Sequence, residues 1–144
     1  MSALADVFEN DLMKLIFQAV AIANIADNAA TAPLTSLFVA LHTADPGEAG
    51  TQQTNEATYT GYARVGVART SGGWAVTANA IENVAAVTFP ACTAGSNTVT
   101  HWSVGTVTSG AGKILWKGAL TASLAVSAGI TPQMAAGALD LLLE

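Results

Sequence analysis

The chain has 144 residues, of which 51% are hydrophobic and only 10% charged, with a formal net charge of −5. That length suits one domain with a substantial core, and a charge fraction far below the roughly one quarter usual for soluble proteins leaves an exterior of Thr, Ser, Ala, Gly and Asn. Five scattered basic residues are too few to neutralise a run of phosphates, which disfavours nucleic acid as a partner, and a surface this neutral is best kept in solution by being covered in an assembly.

The opening Met1 to Asp6 lacks the basic start of a secretory signal. Leu12 to Ala26, the most apolar stretch, is too short for a bilayer and holds Lys14, Gln18 and Asn24, so no membrane span is expected. Between Asp6 and Asp27 there is neither Gly nor Pro, and Ala, Leu, Ile, Gln and Lys predict one helix of about six turns. Asp6 is its expected N-cap, with Glu9 completing a capping-box-like pattern. Phe8, Leu12, Leu15, Ala19, Ile22 and Ala26 recur at alternating steps of four and three, the seam of a coiled coil. A second row, Met13, Ile16, Val20 and Ala23, broadens that stripe beyond what one partner face needs. Two uses stay open: the helix covers its own β-domain, or it packs on neighbouring copies, which makes the six seam residues the candidate interface. Pro33 forbids continuation, so residues 1–32 read as amphipathic helix and linker and 33–144 as a β-domain.

From Ser36 the grammar changes to short strands. Ser36 to His42 is the first, stopped by Asp45-Pro46-Gly47, where Pro then Gly fit the centre of a type II turn. Residues 47–61 are polar and Thr/Gln-rich and read as an extended, exposed loop. Tyr62 to Thr70 and Trp74 to Asn79 then read as a hairpin turned by Ser71-Gly72-Gly73. Val84 to Phe89, Thr98 to Thr108, Lys113 to Gly118, Leu120 to Val126 and Ala138 to Leu143 follow. About eight strands with Gly- and Pro-rich turns predict a mainly β fold, a Greek-key or jelly-roll-like β-sandwich with an N-terminal helix. No fixed-period repeat supports a propeller or β-helix.

Chemistry is sparse. Gly110-Ala111-Gly112-Lys113 sits where a phosphate loop would end, but Val107 stands where its leading Gly is needed and Ile114 where the magnesium-binding hydroxyl belongs. No Gly-x-Ser-x-Gly elbow surrounds a serine, and Cys92 reads as a buried, inert thiol. His101, inside a strand pattern, reads as packed with one ring nitrogen hydrogen-bonded. His42, Asp45, Glu48 and Glu56 match no metal-site spacing. Neither catalytic residues nor a cofactor or metal are expected. Tyr59, Tyr62, Trp74, Trp102 and Trp116 are the possible sugar platforms, although core packing explains the tryptophans more simply.

The segments Leu37 to Gly47, Tyr59 to Val65 and Phe89 to Thr93, with Gly105-Thr106, Ser109 to Lys113 and Ile130-Thr131-Pro132, resemble a family of small tailed-bacteriophage structural proteins. Its members are often labelled tail-fibre proteins, and similar small β-proteins serve as cement or decoration on phage heads. The resemblance implies a virion protein without catalytic residues. The first expectation is a capsid cement or decoration protein, a homo-oligomer (dimer or trimer) bound to the major capsid protein. The alternative is a tail-fibre or head-fibre component that binds a host surface, with glycan as one option; a small hydrolase using His42 or His101 ranks third.

Overall fold

The computed structural model describes residues 5–23, 25–29 and 31–143. Helix α1 (Asp6–Gln18) precedes β1 (Ser36–His42), β2 (Val65–Ala68), β3 (Trp74–Thr77), β4 (Ala80–Asn83) and β5 (Val87–Thr88). After these come β6 (Ser96–Gly105), β7 (Ile114–Ser127), β8 (Gln133–Met134) and β9 (Asp140–Leu142). The fold is mainly β, with one helix at the start of the described residues and antiparallel sheets after it. Its strands form three sheets, ordered β2-β1-β6-β7, β3-β4-β9 and β5-β8. The chain makes two compact units, one from residues 1–36, 67–86 and 135–144, the other from 37–66 and 87–134.

In the first unit the helix departs from expectation at both ends. Its N-cap is Ala5 rather than Asp6: the Ala5 carbonyl accepts from Phe8 N at 2.8 Å and Glu9 N at 3.0 Å, and no side chain caps it. It stops at Gln18, well short of Asp27. Ala19 turns left-handed at φ 55°, and Val20 N donates back to Lys14 O at 3.2 Å. The cause lies far along the chain. Arg69 Nε donates to Ile16 O at 2.6 Å and Nη2 to Leu15 O at 2.8 Å, satisfying last-turn carbonyls that would otherwise lack donors. Its Nη1 also reaches Leu34 O and Asn28 Oδ1, which ties the linker to the helix end. Past that cap the β-branched Val20, Ile22 and Ile25 favour extended backbone, and Ile22 and Ala26 close an isolated bridge.

Met13 and Phe17 are fully buried, and the Phe17 ring meets Trp74 edge-on at 5.0 Å. Gln18 Nε2 donates to Trp74 O. The turn at Ser71-Gly72-Gly73 forms, but it does not close the expected hairpin. β2 lies in the sheet of β1, and β3 pairs instead with β4 across Ala78-Asn79, in the register Trp74↔Asn83. Asn83, 1% exposed, explains the choice: its Nδ2 donates to Ala85 O and Ala135 O, and its Oδ1 accepts from Leu139 N. One buried amide thus pins the chain that leads into β9.

In the second unit β1 pairs antiparallel with β6, placing Leu41 opposite Trp102 and Val39 opposite Val104 on one face, and Ala40 opposite Ser103 on the other. Both faces of β1 are buried, because residues 47–61 fold over the second face instead of standing out in solvent. Gln52, Ala57 and Tyr59 in that loop are at most 3% exposed. The turn before the loop forms as expected, with Gly47 at φ 75° and its amide on Asp45 Oδ1 at 2.8 Å. The two strands expected at 113–118 and 120–126 are one strand, β7, running at the sheet edge beside β6. Its register jumps between Val99↔Leu124 and His101↔Ala119, so Leu120 to Ser123 bulge out opposite Thr100.

Candidate functional site

The six seam residues do not share one helix, because α1 ends before Ala19. Phe8, Leu12 and Leu15 lie on α1 and are half-buried beside the Met13–Phe17 core row; Ala19 is the half-buried C-cap. Ile22 is buried and Ala26 half-buried in the bridged turn beyond it. The apolar atoms most open to solvent are elsewhere in this unit. Val7 is 75% exposed and Ile25 71%, with Val20 and Leu142 near one half. Val7 lines a hollow of about 460 Å³ with Asn10, Asp11, Lys14 and Ala78.

The polar residues of the second unit are tied to one another. Arg64 holds Glu56 in a two-pronged ion pair, Nε to Oε1 at 2.6 Å and Nη2 to Oε2 at 2.7 Å, with the Arg64 side chain only 1% exposed. The same guanidinium donates to Val107 O and Gly110 O. Tyr62 Oη donates to Glu56 Oε1 and accepts from Leu41 N, and burial raises its pKa. Gln52 donates to Phe38 O and accepts from Val107 N, in a slot that side chains at Gly105 and Gly112 would fill. Gly112 therefore makes room for a glutamine, not a phosphate.

His42 is fully buried. Its Nδ1 donates to Thr54 O at 2.8 Å, since a carbonyl can only accept, which leaves Nε2 to accept from Ser103 Oγ at 2.8 Å. Burial lowers its pKa, consistent with a neutral ring. A serine beside an oriented imidazole is the pattern of an activated nucleophile, yet Ser103 and His42 are each 0% exposed. His101 Nδ1 pairs with Thr100 Oγ1, the packed role expected of it.

The four residues weighed for a metal are engaged separately. Asp45 and Glu48 both pair with Lys117, Glu56 with Arg64, and His42 with Ser103. Hydrogen bonds from Gly47 N and Lys117 hold the Asp45 carboxyl below its usual range, while Glu48 and Asp45 hold the Lys117 amine above its own. Among the described residues no three His, Cys, Asp or Glu side chains converge, and no described helix is long and apolar enough to cross a membrane. Of the aromatic platforms, Tyr59, Trp74 and Trp102 are buried, and Tyr62 is held by Glu56 and Leu41. Cys92 is buried, as expected.

Sequence reading passed over Arg69, Arg64, Gln52 and Asn83. The one available signal was the scarcity of charge: a chain with five basic residues leaves few of them idle. Comparison with known proteins then places the chain. A family model described as "Podophage GP4 fiber I protein gp80" matches residues 3–142. No curated protein matches it.

Proposed function

The chain belongs to this podophage fiber I protein family, and from that premise we propose that it is a structural component of a phage fibre, working by surface contact and not by catalysis. The match across residues 3–142 carries the reading. It supports a fibre over the capsid cement otherwise favoured by the chain's neutral composition. The burial of His42 and Ser103 supports a non-catalytic role. Homo-oligomerisation belongs to the same proposal, with Phe8, Leu12, Leu15, Ala19, Ile22 and Ala26 near the contact.

Copy number tests the location. Quantitative mass spectrometry of purified virions should give tens of copies per particle for a fibre, and cryo-electron microscopy should show density at the tail or a head spike. Hundreds of copies spread over the shell would instead establish the cement role, and absence from particles would overturn both. Deleting residues 1–27 would be a poor test of contact, because it removes Met13 and Phe17 from the core of their unit. Surface substitutions are the better probe.

A further inference from the structure

Charge is distributed very unevenly between the two units. Seven of the ten carboxylates, but only Lys14 and Arg69 among the bases, belong to the first unit, which therefore carries the whole net charge of −5. The second unit balances Asp45, Glu48 and Glu56 against Arg64, Lys113 and Lys117. Arg69 is committed to backbone carbonyls and to Asn28. Among the described residues, six of the seven large hydrophobic ones that are strongly exposed also lie in the first unit, Ile130 being the exception. The first unit is thus rich both in acidic residues and in exposed apolar ones.

The β3-β4-β9 sheet gives that surface a definite form. Its register puts Trp74 opposite Asn83, and Ile81 opposite Val76 and Leu141, on the inner side. On the outer side, two rows cross the sheet: Thr77, Ala80 and Leu142, then Ala75, Glu82 and Asp140. Every member is exposed except the half-buried Ala80. Glu82 and Asp140 are directly opposed, an arrangement of like charges that destabilises a sheet, and no described basic residue pairs with either. The apolar row runs through Thr77 to Ala78, which lines the hollow beside Val7.

We propose that the outer face of the β3-β4-β9 sheet is the docking surface for a different virion protein. That partner presents a basic side chain, best an arginine, to Glu82 and Asp140, and apolar groups to Leu142, Ala80 and Val7. Charge selects the occupant. A second copy across a two-fold axis would bring an identical acidic face against this one, and like charges at an interface are strongly disfavoured. Head to tail, a copy has no arginine to offer, because Arg64 and Arg69 are both committed to internal hydrogen bonds, whereas an arginine fork from another protein matches carboxylates and would relieve the repulsion built into the sheet. Self-association uses another surface. This inference rests on the virion reading above.

The test uses the full chain and purified particles assembled without it. Occupancy after rebinding is measured by gel densitometry at 50 and at 500 mM NaCl for wild type, Glu82→Gln/Asp140→Asn, Leu142→Ser and, as a control, Lys113→Gln. The double variant should lower the affinity about tenfold, the equivalent of about 1.4 kcal/mol, and flatten the salt dependence. Its melting temperature should stay level or rise, because a like-charge pair has been removed, which no purely structural role would give. Leu142→Ser should also weaken rebinding, and Lys113→Gln should match wild type. Unchanged occupancy in the double variant overturns the proposal, as does a homodimer cross-linked through Ala75→Cys. Failure of the wild-type chain to bind any particle would overturn the virion reading itself.

Discussion

Replacing Arg64 by methionine should be among the most damaging single changes in the chain. The side chain is 1% exposed and makes four hydrogen bonds, two to Glu56 and two to the carbonyls of Val107 and Gly110. Methionine fills much of the volume but donates nothing, so the Glu56 carboxylate, 15% exposed, keeps only the Tyr62 hydroxyl. Breaking one side of a buried ion pair costs about 3–5 kcal/mol. Against a total stability of about 5–15 kcal/mol for a domain, that is a large share. Urea unfolding followed by tryptophan fluorescence measures it, and the Glu56→Gln/Arg64→Met double variant should recover part of the loss, since no charge is then stranded. A loss under about 1 kcal/mol for Arg64→Met, within the range of exposed pairs, would refute the view that this pair braces the 47–61 loop.

Four further outcomes follow from the same geometry. His42 has a folded-state pKa below its unfolded value near 6.5, because burial disfavours the charged ring; the unfolded chain therefore binds the proton first. Stability should fall as pH drops below about 6.5, a slope that His42→Gln abolishes in urea titrations at stepped pH. Gly105→Ala would drive its methyl into Gln52 and the Lys113 carbonyl, costing about 1–3 kcal/mol as overpacking. Gly110→Ala, with open space around it and φ of 79°, should cost only its backbone strain, about 1–2 kcal/mol. Arg69→Met should lower stability by about 2 kcal/mol by uncapping α1, and hydrogen exchange should quicken at α1 amides while those of β6 stay protected.

Local patterns in the sequence revealed several of the strands and turns. β1 was legible to the residue because Ser36 to His42 is bounded by Pro33 on one side and Asp45-Pro46-Gly47 on the other. The β6–β7 turn was legible from its glycines. What failed depended on residues remote in sequence: the helix ends where Arg69, more than fifty positions on, caps it. The 47–61 loop looked like a solvent excursion because its Thr and Gln are polar, yet Gln52 is buried with both ends of its amide satisfied. β4 was missed because Ala80-Ile81-Glu82-Asn83 holds a single large apolar residue, and its pairing is fixed by Asn83 contacts to residues 135 and 139. The opposition of Glu82 and Asp140 exists only once β4 and β9 are in register.

The two units spend their few charges in opposite ways, and that bears on how the chain can serve a fibre. In the second unit all three carboxylates are matched by Arg64 or Lys117, so its loops are held without any partner. In the first, the one arginine is consumed inside the unit, and Glu82 and Asp140 face each other with no described cation. A sequence that can supply only five basic residues, and places them so, leaves its repulsion where another protein can relieve it. Relief of that kind is available only on binding, so it favours the assembled state over the free chain without adding stability to either unit alone. Raising the salt should therefore stabilise the free full-length chain, by screening the carboxylates of its first unit, while weakening its docking. Two opposite salt responses from one surface would be hard to obtain from a face that is merely exposed.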